Sequence, residues 1–404
     1  MMLRAAALGL SLSTVLAVSA QNPVVQAVLD AMRIDSMMVY VNELTGEVPI
    51  DLGAGPETIV SRHKNNAGNA LSQAWLERKL TQFGYTPTVQ MWSSTGKNIL
   101  VTKPGTVPGA YPMILGAHYD AMPGGNVAAP AADDNGSGVA ALLEAARVLH
   151  DVQFEHTIIF ALWDEEEQGL VGSAYQAAGL ASNDELLRGV INMDALAWDG
   201  NGDKKARVHV RPVGNSFEIG DTLFAVKAHY DIDLDLVLTN PGATYSDHAS
   251  FWNEGYGAVL VIEDFGNDGN PYYHTPNDRV EYFDVPYYEK LAKLAVGGLA
   301  TLAVPVELPQ GVGQIALAPM FRLSAYPNPT EASSMLWVET TEHTRVRIAI
   351  VDALGHEVAL MHEGLLAPGK QAFRIPLEGV APGTYAVVVD RPGHREVVRV
   401  LRTP

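Results

Sequence analysis

Apolar residues in this chain gather into short unbroken runs, and several of those runs end in acids or a histidine. Pro112–Ala117 has strand length, and its unbroken apolarity suits a strand covered on both faces. His118 and Asp120 follow two apart, so in extended backbone both point to one side. A polar loop containing Asp133-Asp134-Asn-Gly136-Ser-Gly138 then opens an apolar-periodic helix that runs through Val148. His156–Trp163 is a second buried-strand run and ends in Asp164-Glu165-Glu166-Glu167. Gly189–Asp194 is a third, with an acid at its end, and Val208–Val213 and Ala258–Glu263 add two more. Open α/β sheets build their sites in this way, at the carboxyl ends of strands.

Longer stretches follow the helical period. Val24–Asn42 places Val28, Met32, Met37 and Met38 at helical spacing, and Asn69–Phe83 carries the stripe Leu71, Trp75, Leu76, Leu80 and Phe83, ended by Gly84. Ser61-Arg62-His63 lies just ahead of that helix, and His63 reads as a structural residue. Thr86–Trp92 and Asn98–Thr102 predict strands, Pro104–Ala110 a turn, and Val285–Pro305 a long apolar helix stopped by its proline. Residues 306–320 contain Pro-Gln-Gly-Val-Gly without periodicity and read as a linker. Beyond Phe321 the runs become short and alternating: Ser334–Glu339, Thr344–Asp352, Glu357–Met361, Gln371–Ile375, Gly383–Val389 and Glu396–Leu401. They predict a small β-sandwich over 321–404. Residues 21–305 are expected to form an α/β domain with a mostly parallel central sheet flanked by helices.

Residues 1–20 read as a signal peptide, with Arg4, an apolar Ala5–Val18, and Val18-Ser19-Ala20 before Gln21. That apolar run is short for a membrane span and nothing later reaches its length, so no transmembrane segment is expected. With 404 residues, 47% of them hydrophobic, the chain can bury a large core. A net charge of -19 argues against nucleic acid, whose phosphates select for excess Lys and Arg. No cysteine is present, so an exported protein of this sequence relies on packing and metal rather than on disulfides.

The strand ends supply the chemistry. His118, Asp134, Glu167, Asp194 and His274 are nitrogen and oxygen donors of the kind that hold two divalent ions, with one carboxylate bridging. Glu166 would be the spare carboxylate that binds no metal and takes the proton of a bridging water. Four acids in a row at 164–167 repel one another unless a dication offsets them.

His118-x-Asp120, Ala132-Asp133-Asp134-Asn-Gly-Ser-Gly138, Glu166-Glu167-Gln-Gly-Leu-Val-Gly-Ser173, Asn192-Met-Asp194, Ser246-Asp-His248 and His274-Thr-Pro-Asn-Asp278 together resemble the secreted di-zinc aminopeptidases of the bacterial leucyl-aminopeptidase type, over roughly residues 60–305. The resemblance implies two Zn2+ per chain, one held by His118 and Asp194, the other by Glu167 and His274, with Asp134 bridging. It implies that Asp120 orients His118, and that Glu166 is general base to a metal-bridging hydroxide and then general acid to the leaving amine. Tyr273 would stabilise the oxyanion, with Tyr245 as its rival. A cis peptide is implied after the bridging acid, at Asp134–Asn135. Asp133 competes with Asp134 for the bridge, and His248 with His274, but their motif positions favour Asp134 and His274. Asp164 and Glu165 read as a solvated rim, Asp278 as an anchor for the loop after His274, and His150 and His156 as surface groups. The implied substrates are peptides with a free N-terminus.

Ala325-Tyr-Pro-Asn-Pro329, Val351-Asp352-Ala-Leu-Gly355 and Pro382-Gly-Thr-Tyr385, followed by the basic strand Arg395–Arg402, resemble the sorting domain of type IX secretion substrates. Secretion machinery is then an implied partner, with a secreted or cell-surface location reached through the periplasm. Competing readings are a glutaminyl cyclase, which takes a single zinc, a carboxypeptidase on the same fold, and a non-catalytic secreted binding protein.

Overall fold

The computed structural model describes residues 21–125, 127–306, 321–330, 333–340, 344–351, 356–391 and 394–403. The expected signal peptide, residues 307–320 of the expected linker and residues 352–355 of the sorting motif lie outside them. Two compact units make up the chain, Met1–Val312 and Gly313–Pro404.

The first unit opens with α1 (Pro23–Ala31), α2 (Ile34–Leu44), a small hairpin β1 (Ile50–Asp51) and β2 (Pro56–Glu57), and α3 (Ala67–Gln82). Asn22 and Asn66 start α1 and α3 by accepting hydrogen bonds from free N–H groups of the first turn. There follow β3 (Thr88–Met91), β4 (Lys97–Lys103), β5 (Met113–His118), α4 (Gly138–Leu149), β6 (Ile158–Trp163), α5 (Val171–Ser182) and β7 (Gly189–Met193). The unit continues with β8 (Lys205–His209), α6 (Ser216–His229), β9 (Asp235–Thr239), α7 (His248–Asn253), β10 (Ala258–Glu263) and α8 (Val285–Leu302).

The eight long strands form one sheet in the order β3-β4-β6-β5-β7-β10-β8-β9. The β6–β5, β5–β7, β7–β10 and β8–β9 pairs are parallel, and the other three are antiparallel. Every residue of β5, β7 and β10 is buried, as strands covered on both faces require. Successive residues of β7 point to opposite faces. Val190 packs with Ala177 of α5 and Phe251 of α7, while Ile191 lies on the side of Leu223 of α6 and Gly298 of α8.

β8 begins three residues before the expected run, because Lys205 and Arg207 alternate with Ala206 and Val208 and hide the strand in a half-polar pattern. Weak alternation also concealed the edge strand β9. In the second unit β11 (Phe321–Tyr326), β12 (Ser333–Thr340) and β15 (Gly369–Pro376) form one antiparallel sheet. The strands β13 (Thr344–Val351), β14 (Glu357–Leu366), β16 (Gly383–Arg391) and β17 (His394–Arg402) form the other. Leu336, Val338, Ile348, Ile350, Ile375, Val387 and Val389 from both sheets share one core, which makes the unit a β-sandwich.

Sheet packing beneath the strand ends leaves no room for a side chain at Gly116, where a Cβ would stand 2.0 Å from the buried Trp163 ring. The Gly116→Ala variant is expected to lose about 1–3 kcal/mol through overpacking, as a lower denaturant midpoint followed by tryptophan fluorescence.

Candidate metal centre

His118 is the last residue of β5, Glu166 and Glu167 lie in the turn after β6, Asp194 follows β7, and His274 lies in the loop after β10. Because these four strands run parallel, their ends converge on one edge of the sheet. Asp134 sits on a kinked, non-helical turn, Ala132–Ser137, that feeds α4. The Asp134–Asn135 peptide is cis. Asn135 Nδ2 donates to Met193 O at 2.8 Å, and Asn135 Oδ1 accepts from Gly138 N at 2.9 Å, which ties this turn to the end of β7.

Asp134 presents its two oxygens to different histidines. Oδ1 lies 3.2 Å from His118 Nε2 and Oδ2 lies 3.1 Å from His274 Nε2. Asp194 Oδ1 is 3.4 Å from His118 Nε2, and Glu167 Oε2 is 2.8 Å from His274 Nε2. Glu166 Oε2 stands 4.0 Å from His118 Nε2. Donor atoms of His118, Glu166 and Asp194 lie within 4.8 Å of one another, as do those of His118, Asp134 and Glu167. His118 Nε2, His274 Nε2 and Glu167 Oε1 are buried yet make no hydrogen bond. Buried polar atoms normally find partners. Nitrogen and oxygen lone pairs that converge without bonding one another are what a pair of zinc-type cations requires, so the donor set fits.

Other side chains hold these donors in place. Asp120, fully buried, accepts from the backbone N–H of Glu166 (3.0 Å) and of Glu167 (3.2 Å), and its Oδ1 lies 3.4 Å from His118 Nδ1. One carboxylate therefore holds the backbone of Glu166 and Glu167 and lies beside the ring of His118. Ser246 donates to Asp194 Oδ2 at 2.6 Å and accepts from Asn192 Nδ2 at 2.8 Å. Asp278 accepts from the N–H groups of Asp133 (3.1 Å) and Asp134 (3.1 Å), so it anchors the turn that carries Asp134, a partner its sequence position did not suggest.

Asp164 and Glu165 are not a solvated rim; both are buried. Asp164 Oδ1 accepts from Asn69 Nδ2 at 2.9 Å and from Glu165 N at 3.0 Å, and Oδ2 accepts weakly from Gln73 Nε2 and Lys97 N. Asn69 and Gln73 belong to α3 and Lys97 to β4, so local polarity alone could not reveal them. His248 is buried, with Nε2 2.8 Å from Ala243 O and its ring against Trp252. His156 Nδ1 contacts Tyr111 O and His150 Nδ1 contacts Asp151 at the surface.

Charge crowding shows in proton affinities. Burial raises Glu166 well above the usual carboxylate range, opposed by His118 and reinforced by Asp247, Asp194 and Glu167. Burial and Asp134 push Glu167 up to about 7. Burial acts against a proton on His118, but Glu166 and Asp194 outweigh it and leave the ring well above its ordinary value. Asp134 moves the opposite way: burial would raise it, yet the two imidazoles hold it below the ordinary value.

Ala131, Glu165, Ala195 and His274 take left-handed backbone conformations, with φ of 46°, 58°, 47° and 58°. Each is a donor or lies within three residues of one, in a region that costs non-glycine residues energy. The two tyrosines weighed for oxyanion contact both border the site. Tyr273 stacks on His274, with ring centroids 3.7 Å apart, and meets Phe265 edge-on. Tyr245 packs against the other side of that aromatic chain, on Phe265 and His209. Asp134, Glu167, Asp194 and Glu166 all act on Tyr273, after burial, to raise its hydroxyl; of these four only Asp194 acts on Tyr245.

Comparison with known proteins gives two family matches. Residues 98–297 match Peptidase family M28, and residues 324–401 match the Secretion system C-terminal sorting domain. A probable leucine aminopeptidase of Trichophyton verrucosum is 32% identical over 222 residues, which are 52% of this chain and 58% of that one. The aminopeptidase YwaD of Bacillus subtilis is 31% identical over 216 residues, 52% of this chain and 45% of that one. The chain thus spans about half the length of these relatives. Among solved structures, the LapA aminopeptidase of Legionella pneumophila superposes with a TM-score of 0.61 at 24% identity, covering 70% of this chain and 75% of that one. The glutaminyl cyclase of Porphyromonas gingivalis gives 0.55 at 20% identity, covering 67% and 98%. At such identities the solved structures establish a shared fold.

Replacing Asp120 by Asn removes one of the two carboxylate oxygens that hold the Glu166 and Glu167 backbone. Affinity for zinc, measured by competition with a chromogenic chelator, is expected to fall about 10–100-fold, with the far-UV circular dichroism unchanged.

Proposed function

We propose that this chain, which carries a peptidase family M28 domain over residues 98–297 and a secretion system C-terminal sorting domain over residues 324–401, is a secreted zinc aminopeptidase that removes N-terminal residues from peptides. The observation that carries this reading is the placement of the two Asp134 oxygens, one toward His118 and the other toward His274. His118 and Asp194 would hold one zinc, Glu167 and His274 a second, and Asp134 both. Bound zinc supplies Lewis-acid polarisation of the scissile carbonyl and brings the pKa of a water toward neutrality.

The protein's own groups do the rest. Glu166, buried at the edge of the cluster and outside the five donors, takes the proton from the attacking water and returns it to the departing amine. Burial and the neighbouring acids raise its proton affinity, which suits a group that must accept a proton and then give it up. Asp120 keeps His118 and the Glu166–Glu167 backbone in register during that exchange. The Tyr273 hydroxyl, on a ring held against His274, would donate to the developing oxyanion. Acids around the site favour the ammonium of a free N-terminus over an acylated one. The C-terminal sandwich would hand the protein to the secretion machinery after signal-peptide export to the periplasm, and no helix among the described residues is long and apolar enough to cross a membrane.

The test is hydrolysis of aminoacyl-p-nitroanilides, free and N-acetylated, by chelator-stripped and zinc-reconstituted protein. Cleavage of free substrates only, restored by about two equivalents of zinc, is the expected result. Glu166→Ala is expected to keep its metal and lose about 10²–10⁴ in kcat. Full hydrolysis with a single equivalent would overturn the two-zinc reading, and cyclisation of N-terminal glutamine instead of hydrolysis would overturn the aminopeptidase in favour of a cyclase.

A further inference from the structure

Arg62 belongs to no element of the sheet, precedes α3, and is fully buried. A buried guanidinium normally sits against a carboxylate. Here every hydrogen bond it donates goes to a backbone carbonyl. Nε donates to Tyr119 O at 2.7 Å, Nη1 to Pro130 O at 2.6 Å and Leu44 O at 3.2 Å, and Nη2 to Ala131 O at 2.9 Å.

Those carbonyls are not scattered. Tyr119 lies between His118 and Asp120 in the chain. Pro130 and Ala131 lead into the kinked turn that carries Asp134, and Ala131 is the left-handed residue at its start. The Ala131 carbonyl also accepts from Gly136 N at 3.0 Å, which closes that turn. Leu44 is the last residue of α2, a helix packed against the same turn. One planar fork thus ties the strand end that presents His118 to the turn that presents Asp134. Its geometry is rigid, which a lysine ammonium on a flexible stem cannot reproduce.

The charge is placed as deliberately as the fork. Burial pulls Arg62 down to about 10, still protonated near neutrality, and Asp278, Asp120, Asp134 and Glu167 act in that order to keep it charged. We propose that Arg62 is a positioning residue for the metal pair, setting the separation of His118 and Asp134 and so the tightness with which divalent ions are held. This inference rests on the ligand roles given under the proposed function.

The test is Co2+ titration of the chelator-stripped full chain, followed by d–d absorption and calorimetry, with aminopeptidase assays in parallel. Arg62→Lys keeps a cation and loses the fork. It is expected to raise the Kd of the more weakly held Co2+ about 10–100-fold, to alter the cobalt spectrum, and to lower kcat while leaving KM within about threefold. A role confined to folding would lower the melting temperature and leave Kd and spectrum as they are, and that result would overturn the proposal. Should Arg62→Lys not fold, Ala131→Gly decides: glycine accepts the left-handed backbone without strain, so the fold is safe, while the kink that Arg62 grips is loosened. Weaker Co2+ binding in that variant supports the clamp, and wild-type binding rejects it. A wild type that takes up one equivalent would refute the two-metal reading alone, since the clamp is still judged by whether that equivalent weakens in the variants.

Discussion

Too much negative charge is buried in too small a volume for the site to be held together by its own side chains. Asp134, Glu166, Glu167 and Asp194 meet around His118 and His274, with Asp120, Asp247 and Asp278 behind them. Burial and mutual repulsion raise Asp247 and Asp278 to about 7. Such a cluster is stable only if the surrounding protein prevents its members from moving apart or turning to solvent. Much of the architecture can be understood as that restraint. Parallel strands deliver the donors to one edge, α4 is pinned by the turn that carries Asp134, and backbone N–H groups donate to Asp120, Asp164 and Asp278.

The sequence was most legible where chemistry is local. His118, Glu166, Glu167 and Asp194 stand immediately after apolar runs, so period and polarity alone placed them at strand ends. Asp134 and His274 needed the spacing of whole motifs, because their approach to one another spans 140 residues of chain. Asp164 and Glu165 defeat a local reading, since four acids in a row look like surface until Asn69, more than ninety residues upstream, is known to donate to one of them. Arg62 is silent in the sequence: nothing in Ser-Arg-His signals a side chain whose partners are carbonyls at 44, 119, 130 and 131.

The same division explains the secondary structure. β5 and β7 are buried on both faces and declare themselves as apolar runs, as does the apolar, partly amphipathic α8, stopped by Pro305. The edge strand β9 and helix α6 sit where one side meets water, and their mixed patterns carry little period. In β12 of the C-terminal sandwich the alternation is plain, because that strand has one covered face and one open face.

The left-handed residues beside the donors bear on how this protein can change. At Ala131, Glu165 and Ala195 a glycine would be energetically more comfortable than the residue present. A search for stabilised variants would therefore favour glycine there and reward the relaxation of the loops that aim the donors. Stability and activity are opposed at these few positions and independent across most of the surface. An engineer selecting on thermal tolerance alone would move the molecule away from its chemistry without any visible change of fold, and natural drift faces the same gradient. The strained backbone is thus a marker, readable from dihedral angles, of where robustness has been given up to keep the cluster aligned.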